Sequence, residues 1–269
     1  MVSHDERHWQ ARRGRAPDLG RSGARALVAG GVGPKRVAAG RTAPPRLVTS
    51  WPWADPYGCF AEGLALGRDG NLYASVTTWG DEADVGQIVR VAPGEGAKTA
   101  VGPSIDTPGL LTGVAFDQLG RLYVADATFS ATDPPGVFRI DAQKATRVLT
   151  LPADSFPNGI AFSGGSMYVF DSALGAVWRS RPDSSATPTT PWFQDARLLP
   201  GSGPDDHGIG ANGIAVRSDG LYVAVSDAGP LARVAIRPKG RAGALRVVAK
   251  GDVLRTVDGI AFEIGRAHV

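Results

Sequence analysis

From residue 46 onward the chain is built of short apolar runs separated by glycine-rich turns. Leu72-Tyr73-Ala74-Ser75-Val76, Leu122-Tyr123-Val124-Ala125-Asp126, Met167-Tyr168-Val169-Phe170-Asp171 and Leu221-Tyr222-Val223-Ala224 share one pattern and predict strands. Before each lies a tight turn (68–71, 117–120, 163–165 and 217–220) and, before that, a shorter apolar run opened by a glycine. These openings are Glu62-Gly63-Leu64, Thr112-Gly113-Val114, Asn158-Gly159-Ile160 and Asn212-Gly213-Ile214, with a fifth at Asp258-Gly259-Ile260. The glycines at 63, 113, 159, 213 and 259 are spaced by 50, 46, 54 and 46 residues. A repeat of that length made only of strand and turn predicts an all-β chain, a β-propeller of four-stranded blades.

Within each repeat the run after the glycine is the strand nearest the axis, and the tyrosine-bearing run is the second. Gln87 to Val91, Gly136 to Ile140, Gly175 to Arg179 and Leu231 to Ile236 supply third strands; Arg147-Val148-Leu149 and Leu245 to Val248 supply fourth ones. Blades pack face to face, so both faces of a middle strand are apolar, and Val177-Trp178 reads as sheet packing rather than a base-stacking platform. Residues 46–51 read as an outer strand limited by Pro52 and Pro56. The stretches 77–86, 128–135 and 200–211 are the insertions expected around a mouth, where loops on a rigid scaffold carry binding. The Ser/Thr/Pro-rich stretch 182–191 reads as an external linker.

Composition refines the boundaries. The chain has 269 residues, 43% of them apolar, enough for one substantial all-β core. Its net charge of +3 is unevenly placed: residues 1–46 carry nine arginines and Lys35 against Asp5, Glu6 and Asp18. The repeats are therefore mildly acidic and offer no general field for nucleic acid. Residues 1–45 show no period and read as a disordered or non-native basic leader. No run reaches the length of a membrane span, and the glycine-broken stretch 26–32 is too short for a signal-peptide core. The single cysteine, Cys59, excludes an internal disulfide framework and reads as a packed, inert thiol.

The count leaves the ring open, with about four blades plus one strand of an expected six. The propeller region is taken as 46–262. Residues 263–269 break the pattern where a turn belongs and resemble a translated sequencing-adapter oligonucleotide. The expectation is an artefactual tail on a natural protein that continues for roughly 60 to 90 residues.

Glu62, Thr112, Asn158, Asn212 and Asp258 all directly precede the glycine of an innermost strand, so repeat symmetry puts them on one circle at one end of the axis. Two carboxylates with amide oxygens make a hard oxygen set suited to calcium or magnesium and unsuited to a soft-ligand zinc site. The competing reading is that Asn and Asp before glycine accept backbone hydrogen bonds and merely shape a turn. A second constellation, Asp205-Asp206-His207-Gly208, contains a histidine able to titrate near neutrality, or is simply a solvated loop. The chain shows no serine-nucleophile elbow, phosphate loop or paired-cysteine metal motif.

The Glu-Gly, Pro-Asn-Gly-Ile-Ala-Phe, Gly-Ala-Asn-Gly-Ile-Ala and Asp-Gly-Ile-Ala-Phe elements resemble the senescence marker protein/gluconolactonase family of six-bladed propellers. More distantly the chain is similar to NHL-repeat and strictosidine-synthase-like propellers. The resemblance implies a divalent cation, usually calcium, at one end of the channel, held by a glutamate, one or two asparagines and an aspartate. The cation helps water open a sugar lactone or similar ester. Asn158 matches the family asparagine, and Glu62 resembles its glutamate, although two repeats before Asn158 where three are expected. Asn212 stands where hydrolytic members carry the aspartate that is ligand and base, and an amide cannot accept a proton at neutral pH. Asp258 is a carboxylate one repeat further on.

These readings make Glu62, Asn158, Asn212 and Asp258 the metal ligands, with Asp258 and Glu62 as catalytic carboxylates. Asp258, the shorter side chain, is favoured as base and Glu62 as ligand. The function expected is a metal-dependent hydrolase of lactones or small esters; the alternative is a non-catalytic propeller that binds a small ligand or protein. Either way the expected partner is a small-molecule substrate or ligand, with no nucleic acid and no membrane.

Overall fold

Residues 48–51, 60–79, 84–94, 96–203 and 206–262 are described in the computed structural model of the chain. The expected leader, the expected tail and Cys59 lie outside the described residues. The first blade comprises β1 (Phe60–Leu66), β2 (Leu72–Thr78), β3 (Val85–Val91) and β4 (Lys98–Asp106). The second comprises β5 (Gly109–Phe116), β6 (Leu122–Thr128), β7 (Gly136–Ile140) and β8 (Ala145–Thr150). The third comprises β9 (Pro157–Ser163), β10 (Ser166–Asp171), β11 (Ala176–Ser180) and β12 (Phe193–Gln194). The fourth comprises β13 (Ala211–Arg217), β14 (Gly220–Val225), β15 (Pro230–Arg237) and β16 (Arg241–Lys250). Each blade is a four-stranded antiparallel meander in chain order, so the expected propeller of four-stranded blades is present. Only three short 3-10 turns interrupt the strands among the described residues.

The innermost strand of every blade is irregular at one place. In β1, Ala61 pairs with Val76 and Leu64 with Ala74, so Glu62 and Gly63 together face Ser75 alone. The same two-against-one bulge sets Thr112-Gly113 against Ala125, Asn158-Gly159 against Phe170, and Asn212-Gly213 against Ala224. A bulge adds a residue, bends the strand and re-aims its side chains. Repeated around the axis, it turns the residue before each glycine out of the ordinary pleat.

Close approach explains the glycines. A Cβ on Gly63 would run into the carbonyl oxygen of Thr112, one on Gly113 into that of Asn158, and one on Gly213 into that of Asp258. At Gly159 the Asn212 carbonyl oxygen would lie 2.7 Å away. Each glycine therefore lies against the backbone of the next repeat, and innermost strands touch main chain to main chain. Hydroxyl groups bridge the same contacts. The Ser75 hydroxyl accepts from Gly63 N at 2.8 Å and donates to Thr112 O at 2.5 Å. Thr112 Oγ1 donates to Pro157 O at 2.8 Å, Ser172 Oγ to Ala211 O, and Ser226 Oγ to Val257 O at 2.8 Å. One hydroxyl thus ties each repeat to the next.

The apolar core lies between blades. Leu111, Val124 and Ile88 fill the space between the first two; Tyr123, Trp178 and Met167 that between the second and third; Phe170, Leu221 and Val234 that between the third and fourth. Full burial of one such side chain contributes about 1.5–3 kcal/mol, so the three interfaces carry most of the driving force. The indole of Trp178 is paired within them: Trp178 Nε1 donates to Asp171 Oδ2 at 2.9 Å, while Asp171 Oδ1 accepts from Phe156 N at 3.0 Å. Val177-Trp178 is thereby sheet packing, as its pattern indicates.

Residues 258–262 form no strand, having no ladder partner among the described residues, yet they are seated as an innermost one. Phe262 meets Tyr222 edge-on at 4.9 Å, as Phe116 meets Tyr73 at 4.9 Å. The expected outer strand at 46–51 is not formed in its described part, 48–51. There the chain is held to the edge of β4 by Lys98 Nζ donating to Ser50 O at 2.5 Å and Thr49 Oγ1 to Gly96 O at 3.3 Å, side-chain bonds in place of a ladder. The outer strand of that blade is β4, whose Gly and Pro residues disguised it. Stretch 182–191 links β11 to the two-residue β12, and 77–86 and 128–135 connect second to third strands at the bulge end.

The repeat geometry predicts unequal costs for the same substitution. In Gly113→Ala the new methyl has only backbone to displace, the Asn158 carbonyl and Gly159 Cα at 3.0 Å. A loss of about 1–3 kcal/mol is expected, seen as a lower denaturation midpoint in urea. In Gly259→Ala nothing lies within 4 Å of the new methyl, and the change is expected to stay within about 0.5 kcal/mol. Equal midpoints for the two variants would refute the close-approach explanation.

Candidate functional site

Four of the five residues that precede the repeated glycines converge. Glu62, Asn158, Asn212 and Asp258 line one axial cavity of about 270 Å³. The side chains two positions further on, Leu64, Val114, Ile160, Ile214 and Ile260, form an aliphatic ring beside them. The cavity thus has a polar rim and an apolar floor, because a bulge shifts the first residue of each X-Gly-aliphatic triplet relative to the third. Leu64 is 62% exposed whereas Ile160 is 6% exposed, so the apolar floor is open on the side of the first blade.

Thr112 does not join the set. It is fully buried, and its hydroxyl is committed to Pro157 O. A threonine at the bulge serves as its own staple to the next blade, whereas the glutamate and asparagine positions leave that task to Ser75, Ser172 and Ser226. The serines escaped the sequence reading. Their signal was the offset: Ser172 follows Asn158 by 14 residues, and Ser226 follows Asn212 by 14.

The two asparagines are held by these serines. Asn158 Nδ2 donates to Ser172 Oγ at 3.3 Å, and Asn212 Nδ2 to Ser226 Oγ at 3.1 Å. Asn158 is 4% exposed and Asn212 5% exposed, so both amides face protein and cavity rather than bulk water. Burial, reinforced by the charge of Asp258, pushes the Glu62 carboxyl up to about 7. Asp258 sits on the open side of the ring with much of its surface in solvent, but protein crowds its other side. That partial burial raises its carboxyl, and a hydrogen bond from Asn212 opposes the rise. Two carboxylates facing one small cavity repel each other, which is an arrangement a cation relieves.

The other candidate chemistry stands apart from this cavity. His207 is exposed and is held by its backbone N–H, which donates to Asp227 Oδ1 at 2.9 Å. Asp206 pairs with Arg255 at 2.8 Å, and Asp205 lies outside the described residues. A larger, open groove of about 670 Å³ runs past Ser166, Arg179 and Asp183 at the hairpin end. Its half-buried charge, Arg179, is committed to Ser166 Oγ and Gly240 O, each at 3.0 Å. Among the described residues no group of three or more His, Cys, Asp or Glu side chains forms a metal cluster; the axial set has two carboxylates and two amides.

No protein-family profile and no curated protein matches the chain. Solved structures do. A proposed oxidoreductase (glucose dehydrogenase) from Thermus thermophilus is 18% identical with a TM-score of 0.52, over 74% of this chain and 73% of that one. The periplasmic gluconolactonase of Pseudomonas aeruginosa is 18% identical with a TM-score of 0.50, over 71% of this chain and 58% of its own. An auxiliary nutrient-binding protein of Bacteroides ovatus is 13% identical with a TM-score of 0.52, over 71% of this chain and 42% of its own. The chain therefore has the β-propeller fold that gluconolactonases share with proteins of other designation.

Proposed function

We propose that the axial cavity is a divalent-cation site and that the protein hydrolyses lactones or small esters. One observation carries the proposal: two carboxylates and two amides, delivered by four different repeats, line one cavity. The donor set fits the group. All its ligating atoms are hard oxygens, which suit calcium with its about six to eight oxygen ligands. Burial, with the charge of Asp258 added to it, lifts Glu62 to about 7, and positive charge between Glu62 and Asp258 offsets both effects. When bound, the cation polarises the substrate carbonyl. A gluconolactonase among the structures of like fold is consistent with this chemistry.

Glu62, Asn158, Asn212 and Asp258 would hold the cation, and Asp258, on the open side, also reaches incoming water. Ionised Asp258 takes a proton as the water oxygen attacks the carbonyl carbon, and the ring C–O bond then breaks. The departing alkoxide receives that proton, so lactone and water become a hydroxy acid. The hydrogen bond from Asn212 steadies the Asp258 carboxylate for this task. The aliphatic ring beneath shields the reacting carbonyl from water on its far side. A second reading, binding without catalysis, is favoured by Asn212, an amide where a second carboxylate would strengthen both charge and base.

Three outcomes test the reading. With calcium in excess the parent melts higher than in chelator, and Asn158→Ala removes most of that shift; superimposable calorimetric titrations of parent and variant would refute the site. Asp258→Asn keeps an oxygen ligand and removes the base, so calcium binding persists while kcat for lactone opening falls by about 10²-fold or more. An unchanged kcat would exclude Asp258 as base, and a parent that opens no lactone with any cation would favour the binding role.

The third outcome concerns pH. Glu62 has a folded pKa raised above its unfolded value, so its stability contribution is full below about 4.5 and is lost as pH rises through about 7. In chelator the parent therefore loses stability across that window, and Glu62→Gln flattens the slope. Buried Asp126, raised to about 6, and Asp258, also raised by burial, act in the same direction, so Asp126→Asn reduces the residual slope further. A parent whose denaturation midpoint in chelator holds constant from pH 5 to pH 8 contradicts the assignment.

A further inference from the structure

We propose that Ser172 is a positioning residue that sets the polarity of the Asn158 amide, turning its oxygen into the axial cavity. The inference rests on the cation-site reading for its consequence, but its geometry stands without it. An asparagine amide has a donor end and an acceptor end of nearly equal shape, and the surrounding hydrogen bonds decide which faces where. At Asn158 that decision is forced. The Ser172 hydroxyl owns one proton and donates it to Ala211 O, a carbonyl that can only accept. Toward Asn158 the hydroxyl oxygen has only lone pairs left, so the Asn158 side must donate, and Nδ2 does so at 3.3 Å. A flipped amide would set two acceptors against each other in a buried place, at a cost of about 1–3 kcal/mol.

The opposite end of the amide completes the picture. Among the described residues no protein donor is bonded to Asn158 Oδ1, and the side chain, 4% exposed, lines the cavity. The relay runs from the carbonyl of one blade through a serine to the amide of its neighbour, and delivers an unpaired oxygen to the axis. The same construction recurs one repeat later. Ser226 Oγ donates to Val257 O and accepts from Asn212 Nδ2 at 3.1 Å. A seryl hydroxyl thus serves as both a staple between blades and a selector of amide orientation. Ser172 touches no substrate, and it acts through Asn158.

The test uses the full chain and calcium itself. Ser172→Ala frees the amide to turn and is expected to weaken calcium about tenfold by titration calorimetry, the scale of a ligand-orienting contact. Ser172→Thr, which keeps the hydroxyl, restores affinity. Asn158→Asp presents oxygen at both ends and has no polarity to fix, so in that background Ser172→Ala changes affinity less than about twofold. An equal loss in both backgrounds, or no loss in the parent, would overturn the proposal. A parent that binds no calcium would overturn the cation site alone, and a second measurement then decides on Ser172. The chain has three asparagines, Asn71, Asn158 and Asn212, so selective ¹⁵N labelling resolves each side-chain NH₂ by magnetic resonance. In chelator, one Asn158 amide proton is expected to exchange slowly with solvent in the parent and fast in Ser172→Ala. Fast exchange of both protons in the parent would overturn the inference whatever the metal result.

Discussion

Main-chain contact between neighbouring innermost strands is the constraint on which the rest depends. Gly63, Gly113, Gly159 and Gly213 lie so near the backbone of the next repeat that any side chain would force the blades apart. The hydroxyls of Ser75, Thr112, Ser172 and Ser226 add a directional bond at each of those contacts. Blade spacing at the axis is therefore set by backbone, not by deformable side chains. A bulge at the same level re-aims the residue before each of these glycines, three of the four positions lining the centre with Glu62, Asn158 or Asn212 while Thr112 does not, and the cavity follows from the spacing.

That rigid circle explains why its charges are uncomfortable. Glu62 and Asp258 come from repeats far apart in the chain, and the backbone contacts of Gly63 with Thr112 and of Gly213 with Asp258 bring them to one cavity. Burial and repulsion appear as a Glu62 carboxyl held near 7. A surface pair would relax into solvent and show no such effect. Thr112, in the same register, shows the other use of the position: its hydroxyl turns outward to the next blade and contributes cohesion, not chemistry.

Structures of like fold carry designations as different as a glucose dehydrogenase, a gluconolactonase and a nutrient-binding protein. A propeller is a frame on which unlike sites are built, so activity has to be argued from the residues at the axis. In this chain those residues are two carboxylates and two amides beside aliphatic side chains, and the proposed cation site rests on that set.

Much of this was legible in the residues themselves. Strand and turn alternation recurring with glycines at 63, 113, 159, 213 and 259 determined an all-β repeat, because period-two apolarity broken by turn glycines such as Gly70 and Gly120, both at positive φ, leaves few other folds. The same register placed Glu62, Asn158, Asn212 and Asp258 on one circle. Tertiary structure alone decided which members of the circle face inward, since Thr112 and Asn158 share a register but only one has a hydroxyl that can satisfy the next blade by itself. It also decided that 48–51 runs beside β4 without pairing, and that β4, with Gly102 and Pro103, is a strand at all; pairing across an edge depends on what stands opposite. The polarity of an amide and the proton affinity of a carboxyl belong to their neighbours in space. Those neighbours are Ser172, fourteen residues along the same blade from Asn158 but oriented by Ala211 of the next blade, and Asp258, four repeats from Glu62, and only folding brings them together.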